Sequence, residues 1–172
     1  EQRGLRADET LEVFKTLFAE GLSTYDGRWT KFKDIGFSPT PVNNHIPVWV
    51  GGHSAAAFKR TAAYGDAFHS AFAHPDLLAK QWSAVKSECD LLDRDIQELE
   101  LTSLFRLNFD GGDLNQGEIG GTSEEIIDQI GQYSDVGLEH AAFFVLGKGN
   151  EGRLEAIQRF AEEVAPHFTI DL

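Results

Sequence analysis

The sequence predicts an α/β protein built on a parallel sheet, and two observations support this prediction. Residues 46–72 show an apolar run, a double glycine, an alanine-rich segment and a second apolar run. This is the pattern of strand, tight turn, helix and strand, and two strands joined through one helix by short turns form a parallel βαβ unit. The alternation continues along the chain, with strands predicted at residues 46–50, 67–72, 99–107 and 140–146, each followed by a helix.

A helical pattern precedes the first of these strands. Asp8 and Glu9 lie at its predicted start, where acidic side chains suit the positive end of the helix dipole, so we expect solvated charges without a catalytic role. The Asp-Gly pair at residues 26–27 then predicts a small hairpin. The apolar face of the helix consists of Leu11, Phe14, Leu17 and Phe18.

The third predicted strand alternates in its side chains, and the segment after it is rich in glycine. Residues 110–121 contain five glycines and predict a mobile loop. Thr122 then begins a helix with Glu125 at the third helical position, which completes a capping box. One side of the third strand carries Thr102, Leu104, Arg106 and Asn108, and the other carries Ser103, Phe105, Leu107 and Phe109.

The turn after the first strand is where the sequence favours a ligand. Gly51 and Gly52 lack a Cβ, which lets the backbone adopt positive φ and a ligand approach the amides. Ser54 is a good N-cap, and Ala57 three residues later brings no carboxylate to the first helical turn, so a phosphate can take that place. From these residues alone, a plain turn that uses glycine for its geometry is the favoured alternative.

A family resemblance rests on two strings, PVWVGGHSAAAFKRTAAYGDAFH and, upstream, RGLRADETLEVFKTLF. Together they resemble the luciferase-like flavin and deazaflavin oxidoreductases, especially the branch that uses coenzyme F420. The family pattern P-[IV]-W-V-G-G-x-S-x-x-A-x-[RK]-R-x-A-x-x-G-D-G-[WF] is matched nearly throughout, but Ala67 stands where the second glycine of GDG usually lies. The resemblance implies a (β/α)8 TIM barrel in which Gly52, His53 and Ser54 hold the cofactor phosphate and Gly51 shapes the approach.

The number of strands limits how much of such a barrel is expected. A complete barrel has eight strands and typically about 250 residues, whereas four strands are predicted in these 172 residues. We therefore expect residues 1–172 to form a single domain that resembles the second half of the barrel. Unpaired strand edges and an apolar inner face would then be covered by homo-oligomerisation or by pairing with the missing N-terminal half.

Two further residues are candidates to face the substrate. His69 lies near the end of the second predicted strand, and Arg106 lies near the carboxyl end of the third. In a barrel these ends form the catalytic face, where an arginine suits an anionic cofactor tail or substrate. A surface or ion-paired arginine explains the same residue equally well. The sequence assigns no catalytic acid or base.

Two other patterns carry little weight. Residues 147–152 match G-x-G-x-x-G, but no further strand with a ribose-binding acid can follow within the chain, so a glycine-rich loop explains them. The histidines lack the close spacing of HExxH and similar ligand sets, so no metal site is predicted.

Composition excludes several functional classes. A net charge of -13 argues against nucleic-acid binding, because phosphates would be repelled. The single cysteine, Cys89, excludes a disulfide framework and fits a reducing compartment. Without an apolar run long enough to cross a bilayer, a membrane protein is not indicated, and the cytoplasm is the expected location.

Taken with the resemblance, these observations predict a fragment of an oxidoreductase. Its reaction would move a hydride between a deazaflavin, coenzyme F420, and a small organic substrate. An FMN-dependent monooxygenase of the same family is one alternative. A non-catalytic flavin-binding or structural relative that keeps the phosphate turn is another.

Overall fold

The computed structural model describes residues 2–19 and 21–168. The chain begins with helix α1 (Gln2–Phe18), followed by the antiparallel hairpin of β1 (Leu22–Asp26) and β2 (Lys31–Gly36). The hairpin therefore forms around the Asp-Gly pair, as the sequence predicts. Across the described residues, no helix is long and apolar enough to cross a membrane.

The expectation that Glu9 is a solvated helix-start charge is wrong. Glu9 lies in the middle of α1, and the residue is only 7% exposed. Its carboxylate accepts hydrogen bonds from the backbone amides of Arg28, Trp29 and Thr30 at 2.9, 2.9 and 2.6 Å. Burial would raise the pKa of Glu9, but these amide hydrogen bonds outweigh burial and hold the pKa below its ordinary value. Glu9 thus fastens the hairpin turn to α1.

Asp8 also has a partner instead of being solvated. Its Oδ1 accepts a hydrogen bond from Nε of Arg60 at 2.5 Å, which ties α1 to the second helix. Glu12, one turn further along α1, accepts hydrogen bonds from the hydroxyls of Tyr25 and Tyr64 at 2.6 and 2.7 Å. The acidic side chains of α1 therefore join three separate segments.

The main sheet confirms the predicted parallel architecture. Each pair of neighbouring strands is parallel, and the four predicted strands occur in sequential order. A helix follows β3, β4, β6 and β7. The strands are β3 (Trp49–Gly51), β4 (Ala67–Ala71), β5 (Glu100–Asn108), β6 (Glu118–Gly120) and β7 (His140–Val145), and the helices are α2 (Ala55–Tyr64), α3 (Pro75–Leu91), α4 (Ser123–Val136) and α5 (Gly149–Arg159).

Strand β6, which covers residues 118–120, corrects the last part of the mobile loop predicted at residues 110–121. It pairs with the end of β5 on the same side as β4. The amide of Glu100 donates to Asp66, just before β4, and the amide of Arg106, on the same side of β5, donates to Gly117, just before β6. Gly120 allows this approach, because a Cβ there would overlap the carbonyl oxygen of Asn108. Four of the five glycines of this segment, all except Gly111, lie where a Cβ would meet a close neighbour, and the sequence pattern cannot separate such packing from flexibility.

The glycine-rich run at residues 147–152 also differs from prediction. Helix α5 begins at Gly149, so most of the run forms the first helical turn instead of a loop. A Cβ on Gly147 would overlap the backbone of Gly152 and Arg153, so glycine is needed there for the close contact between the strand end and the helix.

One face of the sheet is covered by helices and forms the core. On β5 the side chains of Leu101, Ser103, Phe105 and Leu107 are at most 1% exposed, in agreement with the predicted alternation. Tyr133 of α4 is fully buried against Phe105 with a ring-centroid distance of 4.5 Å. The largest buried side chains are Tyr133, Phe68, Phe105, Leu78, Leu101, Leu107, Ile119 and Ile126.

The other face of the sheet, here called the open face, is the one that a closed barrel would turn inward. Two of its aromatic side chains are well exposed, Trp49 at 41% and Phe144 at 58%. Strand register and side-chain alternation place on the open face Trp49, His69, Thr102, Leu104, Arg106, Asn108, His140 and Phe144.

Candidate functional site

The turn between β3 and α2 has the geometry of a close-approach site. Gly52 has φ of +128°, and a Cβ there would lie 3.0 Å from Cβ of Ala57. Glycine is therefore the unstrained residue at this position. Gly51 ends β3, and Ser54 is the N-cap of α2, its Oγ accepting from the amide of Ala57 at 3.3 Å.

The first turn of α2 leaves backbone donors open. Its first two amides, those of Ala55 and Ala56, have no acceptor among the described residues, and the turn contains no acidic side chain. Free amides at the positive end of a helix dipole favour a bound anion. The structure thus provides the donors that the sequence indicated at this turn.

His53 is exposed, and hydrogen bonds connect its ring to two buried side chains, Gln81 and Ser70. Its Nδ1 lies 2.7 Å from Nε2 of Gln81, and Oε1 of Gln81 accepts from the hydroxyl of Ser70 at 2.7 Å. Because an amide nitrogen can only donate, Nδ1 accepts in this arrangement, and neutral His53 carries its proton on Nε2. The ring therefore presents an N–H donor on the side away from Gln81.

Gln81 and Ser70 were missed in the sequence, although one signal was present. Gln81 falls on the apolar stripe of α3, three residues after Leu78 and four before Val85, and it is only 5% exposed. A polar residue on a buried stripe needs a hydrogen-bond partner. That need could have marked Gln81, but its partners in β4 and in the turn are fixed only by packing.

A groove of about 450 Å³ lies beside His53, and Lys80 brings a positive charge to it. No carboxylate of the described residues lies within 4.0 Å of the Lys80 ammonium group. The groove is therefore electrostatically suited to an anion. It is lined by His53, Phe58, Ala71, Phe72, Leu77, Lys80 and Gln81.

A larger groove, of about 740 Å³, lies at the opposite end of the sheet. Its lining includes Leu99 and Glu139, which directly precede β5 and β7. In parallel α/β folds ligands bind at the carboxyl ends of the strands. We therefore assign the site to the smaller groove, next to the β3–α2 turn.

His69 lies on the open face, in the middle of β4. It is in register with Gly51 and with Thr102, and its Nδ1 lies 2.7 Å from Oγ1 of Thr102. Burial, and next the nearby His140, lower the pKa of His69 below 6.5, which favours a neutral imidazole. His53 turns towards α3 on the helix side, so the structure does not bring these two histidines together.

Trp49 links the histidines of the open face. Its ring centroid is 5.4 Å from that of His69 and 4.8 Å from that of His140. The side chain thus reaches from β3 across to β7 and gives the open face an aromatic and imidazole surface near its middle.

Arg106 lies near the carboxyl end of β5 on the open face, as the sequence predicts. Its guanidinium carbon is 4.0 Å from the ring centroid of Phe72, and Nη1 donates to the carbonyl of Gln116 at 3.3 Å. Phe72 lines the groove beside His53 as well, so it lies between the β3–α2 turn and Arg106.

The remaining ionisable clusters offer no metal site. Within the described ranges, no three His, Cys, Asp or Glu side chains are grouped so that they could hold a metal ion. Cys89 is buried, and burial raises the pKa of its thiol, which disfavours a reactive thiolate.

Comparison with known proteins identifies the family. The family model described as luciferase-like monooxygenase matches residues 1–113, which include α1, the hairpin, the β3–α2 turn, β4, α3 and β5. The chain belongs to the luciferase-like monooxygenase family. The resemblance carried by the PVWVGG string is thereby confirmed. No curated protein matches the sequence.

Solved structures show the same fold in several luciferase-like enzymes. An F420-dependent secondary alcohol dehydrogenase in complex with an F420-acetone adduct has a TM-score of 0.83 and 14% identity over 98% of this chain and 62% of its own. The coenzyme F420-dependent tetrahydromethanopterin reductase from Methanopyrus kandleri has a TM-score of 0.78 and 13% identity over 94% and 62%. A riboflavin lyase with modified FMN and riboflavin has a TM-score of 0.80 and 13% identity over 96% of this chain and 57% of its own.

These identities establish the fold alone. The chain spans 62% of the length of the first two of these relatives. Among these relatives the fold is shared by F420-dependent enzymes and by a protein whose structure holds modified FMN.

Proposed function

We propose that this chain is the C-terminal half of a (β/α)8 barrel oxidoreductase that transfers a hydride between coenzyme F420 and a small organic substrate. The observation that supports this most directly is the open start of α2. Two free amides, the positive-φ Gly52 and the N-cap Ser54 meet there at the carboxyl end of β3. That arrangement suits the phosphate of a nucleotide-like cofactor.

The residues of the turn fit such a group. Ser54 and the amides of Ala55 and Ala56 would hold the phosphate, and Nε2 of His53 would donate to it from the side. Lys80 in the adjoining groove would balance its charge. When bound, a deazaflavin supplies the hydride acceptor or donor, while the chain holds and orients the cofactor and excludes water.

On the substrate side we propose His69 as a residue that faces the reacting groups. Its imidazole is kept neutral by burial and is oriented by Thr102 and Trp49. The open face would be completed in the intact protein by the remaining strands of the barrel. Catalysis needs cofactor and substrate in a fixed relative geometry, so we expect residues 1–172 alone not to turn over.

An FMN-dependent monooxygenase is the second candidate. FMN also carries a phosphate, so the α2 start suits it equally, and the fold is shared with a protein whose structure holds modified FMN. The two candidates differ in what the reduced cofactor reacts with: an organic substrate for F420, and dioxygen for FMN.

Cofactor titration of the intact protein, followed by turnover assays, tests the proposal. We expect F420 to bind with higher affinity than FMN and to be reduced or oxidised by an organic substrate. Preferential FMN binding with oxygen consumption would favour the monooxygenase instead. Cofactor binding without turnover in either assay would indicate a non-catalytic relative, and absence of binding by both cofactors would refute the phosphate site.

A further inference from the structure

Arg106 places a positive charge at the carboxyl end of the sheet and has no acidic partner among the described residues. It is the third residue from the end of β5, and its half-buried side chain projects from the open face. No carboxylate of the described residues lies within 4.0 Å of its nitrogens. An unpaired guanidinium that is held in place is suited to bind an anion supplied from outside.

The nearest acid by strand register is engaged elsewhere. Glu118 of β6 is the register partner of Arg106, yet its Oε1 accepts a hydrogen bond from Nδ2 of Asn108 at 2.9 Å. The guanidinium is instead fixed by the ring of Phe72 and by the carbonyl of Gln116. These contacts leave most of its planar set of N–H donors available for a bidentate acceptor such as a carboxylate.

The backbone at Phe72 is strained in a way that fixes the ring under Arg106. Phe72 has φ of +54°, which is uncommon for a bulky side chain. Its backbone packs against Gly117, where any Cβ would overlap the Phe72 backbone. Strain of this kind persists where the surrounding structure enforces it, and it is concentrated at functional positions.

Phe144 adds an apolar surface beside the charged group. Its ring lies 6.3 Å from that of Phe72 at an interplanar angle of 20°, and it is 58% exposed on the open face. Arg106 and Phe144 therefore both contact the ring of Phe72, one offering charge and the other apolar area.

We propose that Arg106 and Phe144 form a substrate-recognition subsite, and that the substrate is a small organic carboxylate with an apolar body. The carboxylate binds the guanidinium, and the apolar body packs on Phe144. This inference rests on the proposed function, because it places the organic substrate of that reaction at the carboxyl end of β5 and β7.

Calorimetric titration of the intact protein with benzoate and its neutral analogue benzamide tests the subsite. In Arg106→Gln we expect benzoate affinity to fall roughly tenfold to a hundredfold, as for loss of a charged hydrogen bond, while benzamide affinity is unchanged. Arg3→Gln, which removes the same charge from an exposed position of α1, should change neither. Phe144→Ala removes the apolar surface and keeps the charge, so it should weaken both probes equally; circular dichroism checks that the variant is folded.

Three results would overturn the subsite: no benzoate binding by the wild-type protein, equal benzoate affinity in Arg106→Gln, or loss of F420 or FMN affinity in that variant with benzoate affinity retained. The last result would assign the anion to a cofactor tail. Failure of the proposed function is a different result, namely that neither cofactor binds the wild-type protein while benzoate binding still depends on Arg106.

Discussion

Two helices of this protein begin in closely similar ways and have different capacities for binding a ligand. Helix α2 follows β3, a positive-φ glycine and the N-cap Ser54, and α4 follows β6, the positive-φ Gly121 and the N-cap Thr122. At the third helical position α2 has Ala57, whereas α4 has Glu125, which accepts from the amide of Thr122 at 2.8 Å.

The charge at the first turn decides which helix start is available to an anion. In α4 the carboxylate of Glu125 accepts from the amide of Thr122, and Glu124 adds a second negative charge, so an anion would be repelled. The first turn of α2 carries no acidic side chain, although the first two amides of both helices lack an acceptor among the described residues. A strand, a glycine and a capped helix are thus insufficient to indicate a phosphate site, and the absence of an internal carboxylate is the discriminating feature.

The sharpest way to break this comparison is to substitute the two positive-φ glycines. Gly52→Val would force a Cβ into the space beside Ala57 and strain the backbone at φ of +128°. We expect cofactor affinity to fall by roughly tenfold or more, from about 1–3 kcal/mol of strain. The measurement is a fluorescence titration with F420 and FMN.

Gly121→Val is the matched control, since it imposes similar strain at the start of α4. It should lower the unfolding free energy without changing cofactor affinity. Equal loss of affinity in both variants would mean that the β3–α2 turn has no special role.

An acidic residue at the third helical position of α2 should give this helix start the negative charge that Glu125 gives α4. Ala57 is only 3% exposed, so Ala57→Glu adds a packing cost as well as a carboxylate at the first turn of α2, and we expect cofactor affinity to fall about tenfold. Ala57→Gln has the same size without the charge and should cost clearly less. If Glu and Gln weaken binding equally, steric obstruction and not anion competition is the cause.

Glu125→Ala removes one hydrogen bond of the capping box of α4, the one from the amide of Thr122 to the Glu125 carboxylate. We expect a loss of about 0.3–1.5 kcal/mol in unfolding free energy, the usual range for a single capping interaction, with unchanged cofactor affinity. Urea unfolding monitored by circular dichroism measures the stability. A gain of phosphate binding at α4 would show that an open helix start is sufficient by itself.

Removing the N-cap hydroxyls separates the structural from the binding role of serine. Ser54→Ala and Thr122→Ala should each lower the unfolding free energy by about 1 kcal/mol. Only Ser54→Ala should also weaken cofactor binding, by roughly threefold, because a single neutral donor is lost. Identical cofactor affinities in the two variants would remove Ser54 from the site.

The smallest expected effect concerns Glu9. Its carboxylate accepts from backbone amides as that of Glu125 does, but the amides belong to the hairpin turn. The pKa of Glu9 lies below its ordinary value of 4.5 in the folded protein. A depressed folded-state pKa means that its stabilisation is complete above the unfolded pKa and is lost as pH falls below about 4.5.

Glu9→Gln should therefore be less stable near neutral pH and should lose less stability on acidification below pH 4.5. Urea unfolding between pH 7 and 3 measures this, and Glu155→Gln on the exposed face of α5 provides the control. An unchanged slope with pH in Glu9→Gln would mean that other carboxylates govern acid unfolding.

Much of the architecture was predictable because its signals are local. The strand and helix alternation follows from side-chain periodicity, and the contrast between Ser54 with Ala57 and Thr122 with Glu125 can be read within four residues. The alternation of β5 likewise placed Arg106 on the open face. These features depend on neighbours in sequence, so the sequence alone determined them.

The tertiary structure decided the partners that come from distant segments. Glu9 meets amides about twenty residues away, Gln81 joins His53 to Ser70, and Phe72 lies under Arg106. Residues 118–120 of the glycine-rich segment form a strand on the β5 edge because that edge is free beyond β4. A polar or charged side chain shows in the sequence that it needs a partner, but only packing brings a particular partner within hydrogen-bonding distance.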